Sequence, residues 1–176
     1  MNDSLAVTAV PLPPGSRATT FCRAPNLADA YAVRLPDGAT HDPEALARFM
    51  LATQARWVAW LLWLRDRLVA VVGLKTSRQL LTEPAVHAVR RISFFRVYAQ
   101  DAQEILLGED DSHLDFRLSV RCEPIAGAPH VIATTVVQCH NLLGRLYILV
   151  IAPFHRLVVR SALQRAARAG WPQKEV

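Results

Sequence analysis

Apolar and polar residues alternate strictly over 113–121. His113, Asp115 and Arg117 fall on one side of an extended chain, and the apolar residues between them fall on the other. Because successive side chains of a strand point to opposite faces, this pattern predicts a strand with one buried face. Neighbouring stretches have similar composition and short connections with turn residues. The sequence therefore predicts an antiparallel meander of four strands, over 91–99, 102–108, 113–123 and 130–139.

The region before the meander predicts one strand and two helices. A strand is expected over 28–35, and Asp42 as a cap with Pro43 in the first turn predicts a helix over about 43–52. Apolar residues then recur at three- and four-residue spacing from 54 to 72, which predicts a second helix.

A long apolar helix is predicted to follow the meander. Asn141 can cap it, and Gly170 ends it. A helix of this extent is about 40 Å long. Pro153 lies inside it, and we expect a kink there because an interior proline cannot donate its backbone hydrogen bond.

This order of elements predicts an α+β fold. A curved antiparallel sheet with one apolar face must bury that face, and the long last helix is the obvious partner. We expect a single domain over 25–170, preceded by a flexible arm (1–24) rich in Pro, Ser, Thr and Gly, and followed by a short tail (171–176).

Composition and charge narrow the class of protein. The chain of 176 residues is 52% hydrophobic and 20% charged, which is typical of a packed globule. Its formal net charge is +5, but the basic residues are scattered from Arg17 to Arg168 and do not cluster on one segment. We therefore expect no nucleic-acid partner.

The apolar stretches and the cysteines indicate the expected cellular location of the protein. The stretch 57–74 has three charged residues in its middle, and the apolar run of the last helix soon reaches His155 and Arg156, so no transmembrane segment is expected. Three widely spaced cysteines, Cys22, Cys122 and Cys139, fit reduced thiols in a cytoplasmic protein.

Three strings resemble a known bacterial family. "LGEDDSHLDFRLSV", "TTVVQCHNLLGRLYILVIAPFHRLVV" and "WLLWLRDRLVAVVGLK" are similar to domain of unknown function 2867, over roughly 25–169. The order of elements also resembles the START-like (SRPBCC, polyketide-cyclase-like) helix-grip superfamily. That resemblance implies a curved sheet wrapped around the long carboxyl-terminal helix, two short helices after the first strand, and a hydrophobic cavity between sheet and helix.

The charged row on the meander is the first candidate for chemistry. Asp111, His113 and Asp115 share one side, which raises the possibility of a metal site. An ion-pair ladder, with Arg117 paired to a carboxylate on a neighbouring strand, is the interpretation we prefer. We therefore expect no metal and no cofactor, and treat His113, Asp115 and Arg117 as residues that brace the sheet.

Polar side chains within the apolar last helix are the second candidates. His155 falls on the stripe expected to face the sheet, close to Pro153. A buried histidine in the core is the simpler alternative to a ligand or proton-transfer role. The ligand-binding candidates are Tyr147, Ile151, Phe154, His155, Arg145 and Phe94.

These features lead to one leading hypothesis and two rivals. We expect a small hydrophobic or amphipathic molecule to bind between the sheet and the last helix. The first rival is a cyclase, dehydratase or isomerase using His155 and Tyr147 with Asp115, which requires Asp115 and His155 to lie on the same face of the sheet. The second is an interaction module that contacts another protein through the row around Arg117. Catalytic residues, any reaction and a homodimer are left open.

Overall fold

The computed structural model describes residues 5–52 and 90–174. Within these ranges the chain forms ten regular elements. In chain order they are β1 (Thr8–Ala9), α1 (Arg17–Phe21), β2 (Leu27–Arg34), α2 (Pro43–Ala52), β3 (Arg91–Ile92), β4 (Phe95–Gln100), β5 (Glu104–Asp110), β6 (Leu114–Ile125), β7 (Ala128–Cys139) and α3 (Leu142–Ala169). The helix predicted over 54–72 lies outside the described residues.

The seven strands form one antiparallel sheet. Their order across the sheet is β1-β2-β7-β6-β5-β4-β3, so the meander is confirmed, and β2 pairs with the last strand. The longest hairpin, β6–β7, turns through Ala126 and Gly127 with φ values of 49° and 81°. Positive φ at both positions matches the right-handed twist of the paired strands. The α+β class with a curved antiparallel sheet and a carboxyl-terminal helix is therefore confirmed.

The single strand predicted over 91–99 is wrong. In the structure β3 and β4 form a hairpin in which Ile92 pairs with Phe95. The chain turns at Ser93, which has a φ of 56°, and Phe94. No glycine, proline or asparagine marks this turn, so the run of strand-forming residues conceals it.

Two helices cover one face of the sheet, which we call the inner face. Val33 of β2, Leu107 of β5 and Val120 of β6 belong to this core and are fully buried. α2 contributes Leu46, and the carboxyl-terminal half of α3 contributes Leu163. The alternation of the strands thus buries one apolar row against the helices, as the sequence predicts.

The amino-terminal segment covers the opposite face, which we call the outer face. β1 pairs with the edge of β2, and Ala18 of α1 packs against Leu106 and Val136. Residues 5–24, which we expected to be part of a flexible arm, thus contain one strand of the sheet and one helix packed on it. The domain limits proposed at 25 and 170 stay a prediction.

A buried carboxylate fastens this segment to the sheet. Glu104 Oε1 accepts hydrogen bonds from Ser16 Oγ at 2.7 Å and Ser119 Oγ at 2.5 Å. The backbone amide of Arg17 donates to both carboxylate oxygens at 3.1 Å. Charge-assisted hydrogen bonds of this kind are stronger than neutral ones, so they fix α1 on β5 and β6.

The long helix α3 confirms the prediction for the last element. The side chain of Asn141 accepts from the backbone amide of Gly144 at 3.0 Å, and the helix ends at Gly170, whose φ is 80°. α3 continues through Pro153. The kink predicted at Pro153 stays a prediction.

Gly144 brings the first turn of α3 into contact with the sheet. A Cβ built on Gly144 would lie 2.2 Å from the carbonyl oxygen of His113 and 3.3 Å from Cys139 Cβ. The carbonyl is held in place because it accepts from the amide of His140 at 2.9 Å. Only glycine allows α3 to lie this close to the strand ends.

We predict that Gly144→Ala destabilises the chain. Displacing α3 from a backbone carbonyl is expected to lower the free energy of unfolding by about 2 kcal/mol. Helix propensity alone predicts the opposite sign, a gain of about 1 kcal/mol. Urea denaturation followed by circular dichroism distinguishes a loss of stability from a gain. A more stable variant would show that the close contact is unimportant.

Candidate functional site

The amino-terminal half of α3 packs on β2 and β7. Ile148 of α3 is buried with Leu27 of β2 and with Val137 and Cys139 of β7. Tyr147 is half-buried against the same group. These contacts are apolar, so any polar group placed under this part of the helix is removed from water.

A polar cluster interrupts this apolar contact one to two turns further along α3. Asp29 of β2 lies directly opposite Thr135 of β7 on the inner face. His155 Nε2 is 3.5 Å from Asp29 Oδ1, and Arg156 Nε is 3.7 Å from Asp29 Oδ2. We call Asp29, Tyr31, Thr135, His155 and Arg156 the Asp29 cluster.

Most polar atoms at the centre of this cluster are not hydrogen-bonded. Both carboxylate oxygens of Asp29, Thr135 Oγ1 and His155 Nε2 are buried and have no hydrogen-bond partner among the described residues. Of the two neighbours, Arg156 lies at ion-pair distance from Asp29. Leaving such a group unsatisfied costs about 1–3 kcal/mol, so several together in one place are unusual in a purely structural interface.

Tyr31 adds a phenol to the cluster. It is buried two residues beyond Asp29 on the same face of β2. Burial raises the pKa of Tyr31, and the negative charge of Asp29 raises it further, while Arg156 and Arg160 oppose the shift. The hydroxyl therefore stays protonated at neutral pH.

This arrangement can bind and orient a polar group. Asp29 offers two acceptor oxygens, and the hydroxyl of Thr135 can both donate and accept. A carboxylate close to an imidazole is also a combination that general acid–base sites use. The cluster thus combines recognition of a hydroxyl or amide with a group able to move a proton.

Only some of the ligand-binding candidates predicted on the last helix reach the Asp29 cluster. His155 points towards the sheet, and Ile151 is half-buried on α3. Tyr147 lies eight residues before His155, about 12 Å along the helix axis. Tyr147 and His155 therefore face different parts of the sheet.

Three other predicted ligand-binding residues lie elsewhere. Phe154 and Arg145 are on the exposed side of α3. Phe94 is in the β3–β4 turn and packs against Phe95, with tilted rings whose centroids are 4.2 Å apart. That turn is at the edge of the sheet far from β2, so Phe94 does not belong to the Asp29 cluster.

The charged row of the meander lies on the outer face. Leu114 and Phe116 face α3, so Asp115 points the other way, where its carboxylate is 3.1 Å from His140 Nε2. The proposed combination of His155 with Asp115 is therefore wrong, because the two residues lie on opposite faces of the sheet. His113 precedes β6, and its ring Nδ1 is 2.8 Å from Asn141 Nδ2.

Arg117 lies at the centre of a buried outer-face cluster. Its guanidinium is 2.7 Å from Asp110, 3.7 Å from the ring centroid of Tyr98 and 4.3 Å from that of Phe21. Arg117 is 7% exposed, so it does not form an exposed contact row. The ion pair on a neighbouring strand that we preferred is present, and its role is to fasten α1 and β4 to β5 and β6.

Within residues 5–52 and 90–174, no group of three or more histidine, cysteine, aspartate or glutamate side chains is placed to hold a metal ion.

Asp29 is the functional candidate that sequence reasoning missed. The sequence did contain a signal, because alternation places Asp29 on the same side of the predicted first strand as Tyr31 and Val33. It is therefore an acidic residue on the apolar side of a strand, where a charge needs a specific reason. Its proximity to Thr135 and His155 depends on long-range pairing that the sequence alone does not show.

A family model described as "Protein of unknown function (DUF2867)" matches residues 21–162. The chain belongs to the DUF2867 family. No curated protein and no solved structure matches the chain. The DUF2867 match includes Asp29, Thr135 and His155, so the whole cluster lies within the family region.

We predict that Thr135→Val stabilises this DUF2867 chain. Replacing a buried hydroxyl that has no hydrogen-bond partner with a methyl group of similar volume should raise the free energy of unfolding by about 1 kcal/mol. Thr134→Val, opposite Ala30 on the outer face, removes another buried hydroxyl without a hydrogen bond and should stabilise the chain similarly. Denaturant unfolding measures both variants, and destabilisation of Thr135→Val would show that its hydroxyl is satisfied.

We predict that Asp110 contributes to the loss of stability in acid. Burial opposes its ionisation, but hydrogen bonds from Arg117 and Tyr98 outweigh burial and lower the pKa of Asp110. The contribution is therefore present above the unfolded pKa of about 3.9 and is lost as pH falls through the lower folded pKa. Asp110→Asn should lower Tm at neutral pH. On acidification its Tm should fall less than the Tm of Asp37→Asn, an exposed control. Equal acid profiles for the two variants would contradict this.

Proposed function

We propose that the chain is a START-like helix-grip domain that binds a small amphipathic molecule between α3 and strands β2 and β7. The observation that supports this best is the set of buried polar atoms on Asp29, Thr135 and His155 that make no hydrogen bond among the described residues. They come from three elements and meet inside an otherwise apolar interface. Pockets for small molecules commonly combine apolar walls with a few convergent polar groups.

The charges of the Asp29 cluster define the polar end of the ligand. Asp29 offers two acceptor oxygens, so a group that donates a hydrogen bond fits, whereas a carboxylate has no hydrogen to donate to it. Arg156 lies close enough to offset part of the negative charge, which disfavours a strongly cationic ligand. We propose a hydrophobic molecule with a neutral hydroxyl.

The helix-grip assignment agrees with the architecture. One antiparallel sheet lies against a long carboxyl-terminal helix, and α2 covers another part of the same face. Three free cysteines agree with a cytoplasmic location, which we propose on that basis.

The test compares two ligands of equal chain length. Decan-1-ol should raise the Tm of the wild-type chain more than decanoate does, because only the alcohol can donate a hydrogen bond to Asp29. Thr135→Val should weaken decanol binding by about fivefold, the value of one hydrogen bond, and Thr134→Val should bind as the wild type does.

Native mass spectrometry of the chain purified without denaturation gives a second readout. A bound neutral molecule would support the proposal directly. A native mass equal to that of the chain alone, together with no Tm shift for either decyl compound, would contradict it.

An acid–base enzyme is the second candidate, and the Asp29–His155 pair favours it. In this version the carboxylate that works with His155 is Asp29 and not Asp115, because Asp29 lies on the same face of the sheet as His155. His155→Gln should then retain binding of a hydroxyl compound that copurifies with the chain but lose its conversion on prolonged incubation, followed by mass spectrometry. An unchanged compound after incubation with the wild-type chain would argue for binding alone.

A further inference from the structure

The side of α3 that faces away from the sheet is apolar over its first four turns. Its large side chains are exposed, with Leu142 at 81% and Leu149 at 75%. We call this surface the outer stripe. Its members are Leu142, Leu146, Leu149, Val150, Phe154 and Leu157. They recur at three- and four-residue spacing and form one continuous row about 22 Å long.

A row of this kind requires a physical reason. Single exposed leucines are common on protein surfaces, but contiguous large apolar patches mark binding to a protein or a membrane. The inner side of the same helix already packs on the sheet through Ile148, Val159 and Leu163. The outer stripe is therefore additional to what the fold needs from α3.

The charges on α3 indicate which partner fits. Residues 142–169 contain five arginines and no aspartate or glutamate. Arg145, Arg156 and Arg160 are exposed beside the outer stripe. An apolar row flanked by cations on one helix is complementary to an anionic lipid surface, where the side chains enter the acyl boundary and the guanidinium groups meet phosphates.

We propose that the outer stripe rests on the surface of an anionic membrane, with α3 parallel to its plane. This inference does not depend on the proposed ligand. α3 is long and apolar enough to cross a bilayer by length and composition, which is weak evidence for crossing. Its inner side is buried against the sheet, so the geometry fits a helix lying on the membrane surface.

Flotation of the full chain with lipid vesicles tests the proposal. The wild-type chain should float with vesicles of equimolar phosphatidylcholine and phosphatidylglycerol at low salt. It should bind vesicles of phosphatidylcholine alone much more weakly, and high salt should release a large part of the bound chain, because the guanidinium–phosphate attraction is screened.

Two variants separate the apolar and the charged contributions. Leu146→Ser with Leu149→Ser should reduce partitioning by at least about tenfold, since two exposed leucines no longer enter the bilayer. Arg145→Gln should reduce it by about fivefold on anionic vesicles only. Arg34→Gln, at the exposed end of β2, removes the same charge away from the stripe and should change little. Circular dichroism and Tm verify that each variant is folded.

Other occupants of the outer stripe give different results. If a second copy covers it, the wild-type chain will sediment as a dimer, the double leucine variant as a monomer, and neither will float. If another segment of this chain covers it, the wild type will sediment as a monomer and not float, and the double variant will lose stability. Failure of the wild type to float on anionic vesicles overturns the proposal in both cases, as does equal flotation on neutral vesicles.

Discussion

The contact between Gly144 and the carbonyl of His113 determines where the last helix lies. Without a side chain at Gly144, the first turn of α3 meets the strand ends at backbone distance. Its inner residues then reach β2 and β7, the two strands that join the beginning of the chain to the end of the meander. The core contacts of Ile148, the burial of Asp29 and the exposure of the opposite side of α3 all follow from this position.

Much of the architecture could be predicted from local patterns. Alternation predicted the strands of the meander, and the cap at Asn141 and the stop at Gly170 predicted the limits of α3, because these signals act over a few residues. The turn at Ser93 could not be predicted, because a serine in the left-handed region has no reliable sequence signal. The packing of α1 through Glu104 depends on partners far apart in the chain.

Of the candidate site, only the residue on the helix could be predicted from the sequence. His155 was found because helical spacing places it on the same stripe as Ile148 and Ile151, whereas Asp29 required knowledge of which strand lies under that turn. The same alternation that predicted a strand at Asp115 also placed it opposite to Leu114, and therefore away from the helix. A rule that a charge on the apolar side of a strand needs a partner would have selected Asp29.

His155 and Leu157 are two residues apart on α3 but lie in different surroundings, one against the sheet and the other towards solvent. A helix moves largely as one body, so a shift of α3 at Asp29 would also change the presentation of its far side. Where an occupant of one side shifts the helix, equilibrium linkage makes the effect mutual, and the affinity of the other side changes by the same factor.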